Sequence, residues 1–115
     1  MRIEVRGLRT EVTDELDQQV RKGFGRVGRQ VDELATLDVV LSEEKNPAIA
    51  ASQVADATLR TKGVTFVARE SAPDMTAAIK AISTDIGRQV TRHREKQRGR
   101  AGSRRFWSRL RRESA

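Results

Sequence analysis

Met75, Ile79, Ile82, Ile86 and Val90 recur at spacings of 4, 3, 4 and 4 residues. An α-helix brings such a set onto one face, and that face must be buried against another layer. A second stripe, Leu16, Val20, Phe24, Val27, Val31 and Leu34, is spaced 4, 4, 3, 4 and 3. The chain therefore needs a surface wide enough to cover two helices. The other apolar segments alternate with period two: Ile3 and Val5; Leu37, Val39 and Leu41; Ala57, Leu59 and Thr61; Val64, Phe66 and Ala68. Each reads as a one-sided strand. Their order predicts an α+β fold, β-α-β-β-β-α, with two roughly parallel helices on one face of a four-stranded sheet. At 115 residues the chain suits one compact domain.

Local signals set the boundaries. Thr13 can cap the first helix, whose opening turn carries Asp14, Glu15 and Asp17. Gly23, Gly25 and Gly28 interrupt its stripe, and Gly28, flanking it, is placed to admit a close helix approach. Residues 43–47, Glu-Glu-Lys-Asn-Pro, break the second strand, and a longer strand follows from about 49 to 61. Lys62-Gly63 reads as a hairpin turn, and Pro73-Asp74 opens the last helix. Gly99, Gly102 and Ser103 are expected to end regular structure. The expected division is a folded domain over residues 1–98 and a basic, flexible tail over 99–115.

Charge is unevenly placed. Residues 1–87 hold 12 Lys and Arg against 14 Asp and Glu, a balance of −2, whereas residues 88–115 hold 11 against 2, a balance of +9. Such asymmetry is the footprint of a polyanion binder, with nucleic acid favoured over membrane. Enzyme chemistry finds little support. The chain has no Cys and one His, so thiol nucleophiles and sites built from several His are excluded. His93 lies about 20° from the centre of the last stripe at 100° per residue, which makes it a packing residue at the stripe's end. Gly23-Phe24-Gly25 falls inside a helical pattern and is no phosphate loop. No cofactor, metal or small-molecule substrate is expected. Without an apolar leader or a long apolar run, the expected setting is the cytoplasm.

The basic residues fall into two helical sets. Lys22, Arg26 and Arg29 are spaced four and three apart, away from Phe24. Arg88, Arg92, Arg94, Lys96, Arg98 and Arg100 crowd the end of the last helix, and Arg104 and Arg105 continue the series. Cations suit a helix C-terminus, but that effect reaches only the last turn. If the helices lie side by side, the two sets form one positive surface that suits phosphates rather than base sequence. Five of the six basic residues from 88 to 100 are Arg, which favours bidentate phosphate contacts.

The run Arg88-Gln89-Val90-Thr91-Arg92-His93-Arg94-Glu95-Lys96 resembles the signature R-Q-L-T-K-H-K-[DE]-K of the ribosome hibernation promoting factor and ribosome-associated inhibitor family. Residues 11–16 (EVTDEL), 39–45 (VVLSEEK), 56–59 (DATL) and 74–79 (DMTAAI) are similar to further family segments, in family order. The resemblance covers residues 1 to about 98. It implies a β-α-β-β-β-α domain that binds the small ribosomal subunit in the decoding channel, mainly through ribosomal RNA, and silences translation in stress or stationary phase. Carried over by position, it implicates Lys22, Arg26, Arg29, Arg88, Arg92, Arg94 and Lys96. Thr76 stands where an aromatic residue is common in the family. Longer members carry a second, dimerising domain that pairs ribosomes; none is expected here, so ribosome pairing by this protein alone is not expected, and the expected free state is a monomer. A general structured-RNA-binding protein or RNA chaperone is the competing reading.

The tail combines basic residues with Phe106, Trp107 and Leu110, a set suited to ordering on ribosomal RNA or protein. Deletion of residues 99–115 is expected to weaken ribosome binding. It should also lower the slope of log affinity against log salt by roughly 0.7–0.9 for each phosphate that the tail neutralises. Equal affinities of the full and shortened chains across a salt series would show that the tail takes no part.

Overall fold

The computed structural model describes residues 1–44 and 51–113, with the backbone alone for 99–113. Seven elements follow in order: β1 (Arg2–Leu8), α1 (Asp14–Gly23), α2 (Gly25–Gln30), β2 (Thr36–Glu43), β3 (Gln53–Thr61), β4 (Val64–Ala72) and α3 (Met75–Glu113). The sheet order is β1-β2-β3-β4. β1 and β2 are parallel, which requires a crossover, and α1 and α2 supply it. The β2–β3 and β3–β4 pairs are antiparallel. The expected turn through Lys45, Asn46 and Pro47, and the expected strand start near residue 49, lie outside the described residues.

One face of the sheet carries the core. The register aligns Ile3, Leu37, Leu59 and Phe66 in one row and Val5, Val39, Ala57 and Ala68 in the next. α3 lies over β3 and β4 and sets its whole predicted stripe into the core, with Ala78 added to it. Its first turn is capped by Asp74, whose Oδ1 accepts the Ala77 N–H at 2.8 Å. Thr13 caps α1 in the same way, accepting the Leu16 N–H at 3.2 Å. His93 meets Phe66 edge to face, with ring centroids 5.6 Å apart, so its packing role is borne out.

Three expectations need correction. The first stripe is carried by two helices, because the chain turns at Phe24 (φ −97°, ψ 8°) between Gly23 and Gly25. Phe24 is fully buried at the turn, and two poor helix formers beside it lower the cost of the break. The stripe's far end also fails. Val31 is already extended (φ −116°, ψ 165°), Leu34 is 90% exposed, and Ala35, 1% exposed, takes the inward place. Lastly, α3 does not end near Gly99 but continues to Glu113. No Pro follows residue 98, and Arg, a good helix former, is the commonest residue of the segment, so two glycines at about 1 kcal/mol each do not stop the helix.

Both edge strands are tied to the helix that flanks them. Arg21, held by Asp17 at 2.8 Å, reaches the Ile3 carbonyl of β1 at 3.4 Å. Gln89 of α3 donates to the Val67 carbonyl of β4 at 2.9 Å. After β1 the backbone folds back closely. Arg9 has φ 60°, and a Cβ built on Gly7 would collide with the Thr10 carbonyl oxygen. The β3–β4 turn uses Gly63 at φ 79°, a left-handed value at the second central position that favours glycine.

Gly7→Ala is therefore expected to destabilise the fold by about 1–3 kcal/mol, the usual cost of overpacking. Gly25→Ala, whose Cβ would meet nothing within 4 Å, should stabilise it by about 0.4–1 kcal/mol. Urea unfolding of the two variants checks both signs.

Candidate nucleic-acid interface

The two helical arms run in the same direction. The Thr76 hydroxyl donates to Gln19 Oε1 at 2.9 Å, joining the early parts of α1 and α3. Farther along, a Cβ on Gly23 would stand 3.5 Å from Ser83 Oγ, and one on Gly87 4.0 Å from Val27 Cγ2. Contacts thus advance along both arms together. Small residues on the facing sides let the backbones come near. The approach is made at Gly23 and Gly87 rather than at Gly28, whose added Cβ would meet the Met1 side chain at 3.3 Å.

Above this seam lies an open cleft of about 570 Å³. Its walls include Gly23, Ser83 and Gly87, and three arginines line it: Arg26 from α2, Arg88 and Arg92 from α3. The cleft therefore unites Arg26 with Arg88 and Arg92, which lie far from it in sequence. Lys22 and Arg29 are exposed on the α1–α2 arm but do not line it. Lys96 is exposed and stands seven residues after Gln89, so it shares the face of α3 that meets β4. Arg94 is half-buried and Arg98 is exposed, both outside the cleft. The side chains of Arg100, Arg104, Arg105, Phe106 and Trp107 lie outside the described residues.

The arginines of the two faces differ in pairing. On the bare sheet face Arg60 holds Asp38 at 2.9 Å and Arg69 holds Asp56 at 3.3 Å, with Arg2 and Glu4 at 3.4 Å. Among the described residues, Lys22, Arg26, Arg29, Arg88, Arg92 and Lys96 form no ion pair. Positive charge on the helical face is thus available to an outside anion, while that of the sheet face is largely answered within the protein. Among the described residues no group of three His, Cys, Asp or Glu side chains gathers to hold a metal.

Two features escaped the sequence reading. Gln30 joins the cleft lining at the end of α2. Lys62, at the hairpin tip, donates its backbone N–H to Asp32 Oδ2 at 3.4 Å, which sets a further cation beside the loop after α2. No local pattern marks Lys62 as part of a charged surface, because its place depends on how the hairpin meets the loop after α2.

Residues 3–98 match the family described as "Sigma 54 modulation protein / S30EA ribosomal protein". A ribosome hibernation promoting factor of Azotobacter vinelandii is 32% identical over 97 residues, which cover 84% of this chain and 86% of that protein. The protein of the same name from Escherichia coli K12 is 30% identical over 96 residues, 84% of this chain and 96% of the relative. Among solved structures, the N-terminal domain of Thermus thermophilus Protein Y superposes with a TM-score of 0.69 at 28% identity, covering 81% of this chain and 99% of that one.

If the cleft is the anion-binding surface, Arg26→Gln, Arg88→Gln and Arg92→Gln should each weaken binding to a structured RNA. Each should also reduce the salt slope by about 1. Arg60→Gln and Arg69→Gln, which alter the paired sheet face, should leave the slope unchanged. Filter binding across a salt series compares the two groups.

Proposed function

The chain belongs to the Sigma 54 modulation protein / S30EA ribosomal protein family, and from that premise we propose that it is a ribosome hibernation factor. It binds the small ribosomal subunit in the decoding and mRNA–tRNA channel and silences translation under stress or in stationary phase. The observation that carries this reading is the cleft between parallel helices, where Arg26, Arg88 and Arg92 form no ion pair among the described residues. Guanidinium groups offer bidentate donors to phosphate, and a groove of this shape can follow an RNA backbone without reading each base.

The bound surface extends from the cleft to Lys22, Arg29, Arg94, Lys96 and Arg98, with Arg100, Arg104 and Arg105 as outer contacts. Residues 1–98 form the ribosome-binding domain and residues 99–115 a basic extension of it. The protein acts as a monomer in the cytoplasm, by occupying space that mRNA and tRNA need. Its family is one of ribosome-associated factors rather than enzymes, and the reading needs no cofactor. Among the described residues no helix is long and apolar enough to cross a membrane.

Cosedimentation with purified ribosomes and separated subunits tests the proposal, with a translation assay alongside. The protein should travel with small subunits and inhibit translation. Arg92→Glu with Lys96→Glu should abolish both effects while leaving the fold intact, since both positions are exposed. Inhibition by the double variant would show that another surface is used. Equal binding to naked structured RNA and to intact subunits would favour a general RNA-binding protein instead.

A further inference from the structure

One acidic residue stands in this basic cleft. Glu95 lines it together with Arg26, Arg88 and Arg92. It is exposed, and it makes no ion pair among the described residues, although Arg92 lies one helical turn before it. A surface serving phosphates alone gains nothing from a carboxylate there, which repels them. The cleft also offers further acceptors. The Ser83 and Thr84 hydroxyls both donate to the Lys80 carbonyl, at 2.9 and 3.0 Å. Their hydrogens are thereby engaged, so toward the cleft these two oxygens present lone pairs. Arg26, Arg88 and Arg92 thus supply donors, while Glu95, Ser83 and Thr84 supply acceptors. A bound group must carry negative charge and hydrogen-bond donors together.

A nucleotide has both. Its phosphate is an acceptor, while its ribose 2′-OH and base edge carry donors. At about 570 Å³ the cleft falls within the roughly 300–1,000 Å³ of sites that hold small ligands. A carboxylate accepts two parallel hydrogen bonds best. Of the four RNA bases, guanine alone presents two adjacent donors on its Watson–Crick edge, N1–H and N2–H. Cytosine and adenine set one amino donor beside a ring acceptor, and uracil sets one N–H between two carbonyls. Resting on the RNA-binding reading given above, we propose that Glu95 is a specificity-determining residue that selects an unpaired guanine in the cleft, with the arginines on its phosphates. A bound metal ion accounts less well for Glu95, since no group of three metal-ligating side chains forms among the described residues.

The test is fluorescence anisotropy of the full chain with three short single-stranded RNAs that differ at one central base: guanine, inosine or adenine. Inosine keeps N1–H but lacks the 2-amino group. The wild-type chain should bind the guanine RNA about tenfold more tightly than the other two, the discrimination that one bidentate pair supplies. Glu95→Gln, which keeps the shape but pairs one donor with one acceptor, should remove the difference. It should also bind the inosine and adenine RNAs slightly better, having shed a negative charge. Thermal melts confirm that the exposed substitution leaves the fold unchanged. Binding of all three RNAs with equal affinity, or a guanine preference that survives Glu95→Gln, would overturn this assignment and leave the RNA-binding reading standing. Failure to bind any of the RNAs would overturn the guanine assignment, whereas cosedimentation with small subunits decides the ribosome-binding reading separately.

Discussion

The seating of the α3 stripe on β3 and β4 holds the rest of the structure in place. Ile79, Ile82 and Ile86 are large and buried, whereas the inward residues beneath them include Ala55, Ala57 and Ala68. Short side chains on the sheet leave room for branched ones from the helix, so the two layers interlock. Burial of each isoleucine contributes about 1.5–3 kcal/mol. This seating also fixes the rotation of α3 about its own axis. With Ile86 and Val90 turned to the sheet, Gly87 must face the α1–α2 arm, and Arg88 and Arg92 must face outward beside it.

The partner arm obeys the same constraint from the other side. Val20, Phe24 and Val27 are buried, and the turn at Phe24 lets the arm bend and still keep all three inward. A continuous helix would have carried Val31 and Leu34 onward along a straight axis. The chain instead leaves the helix at Val31, and the Ala35 carbonyl accepts the Arg2 N–H at 2.8 Å to start the parallel ladder. Closure of the β1–β2 pair therefore limits the length of the arm, and so determines that Arg26 and Gln30, rather than residues farther on, reach the cleft.

Charge is distributed to match. The ion pairs of the bare sheet face are exposed and contribute little stability, about 0–1 kcal/mol each. Their consequence is directional, because they answer the arginines on that face and leave the helical face as the positive one. A polyanion approaching the molecule meets one charged side, and the family to which the chain belongs is one of ribosome-associated proteins.

Much of this was legible in the residues. Period-two alternation identified the four strands, and the α3 stripe from Met75 to Val90 proved buried at every position. Both helix starts were legible, one from Thr13 as a cap and the other from Pro73-Asp74 as an opening, and the structure adds that Asp74 itself accepts a backbone N–H. The same local logic failed where two arrangements share one period. A stripe from Leu16 to Leu34 reads identically whether the helix is straight or broken at Phe24, because a one-residue turn preserves its phase. Gly99 and Gly102 look like stops, yet their cost is small against a run of helix formers. Two basic helices could be read from spacing, but not which of their cations share a space. Arg26, Arg88 and Arg92 meet in the cleft while Lys96 stays outside it, and Glu95 and Lys62 take up their positions only through folding. The strands, the buried face of α3 and the sign of the charge were decided along the chain, since these depend on neighbouring residues. Tertiary structure alone decided which charges stand together and which are neutralised, because that depends on helix rotation and strand register across long separations.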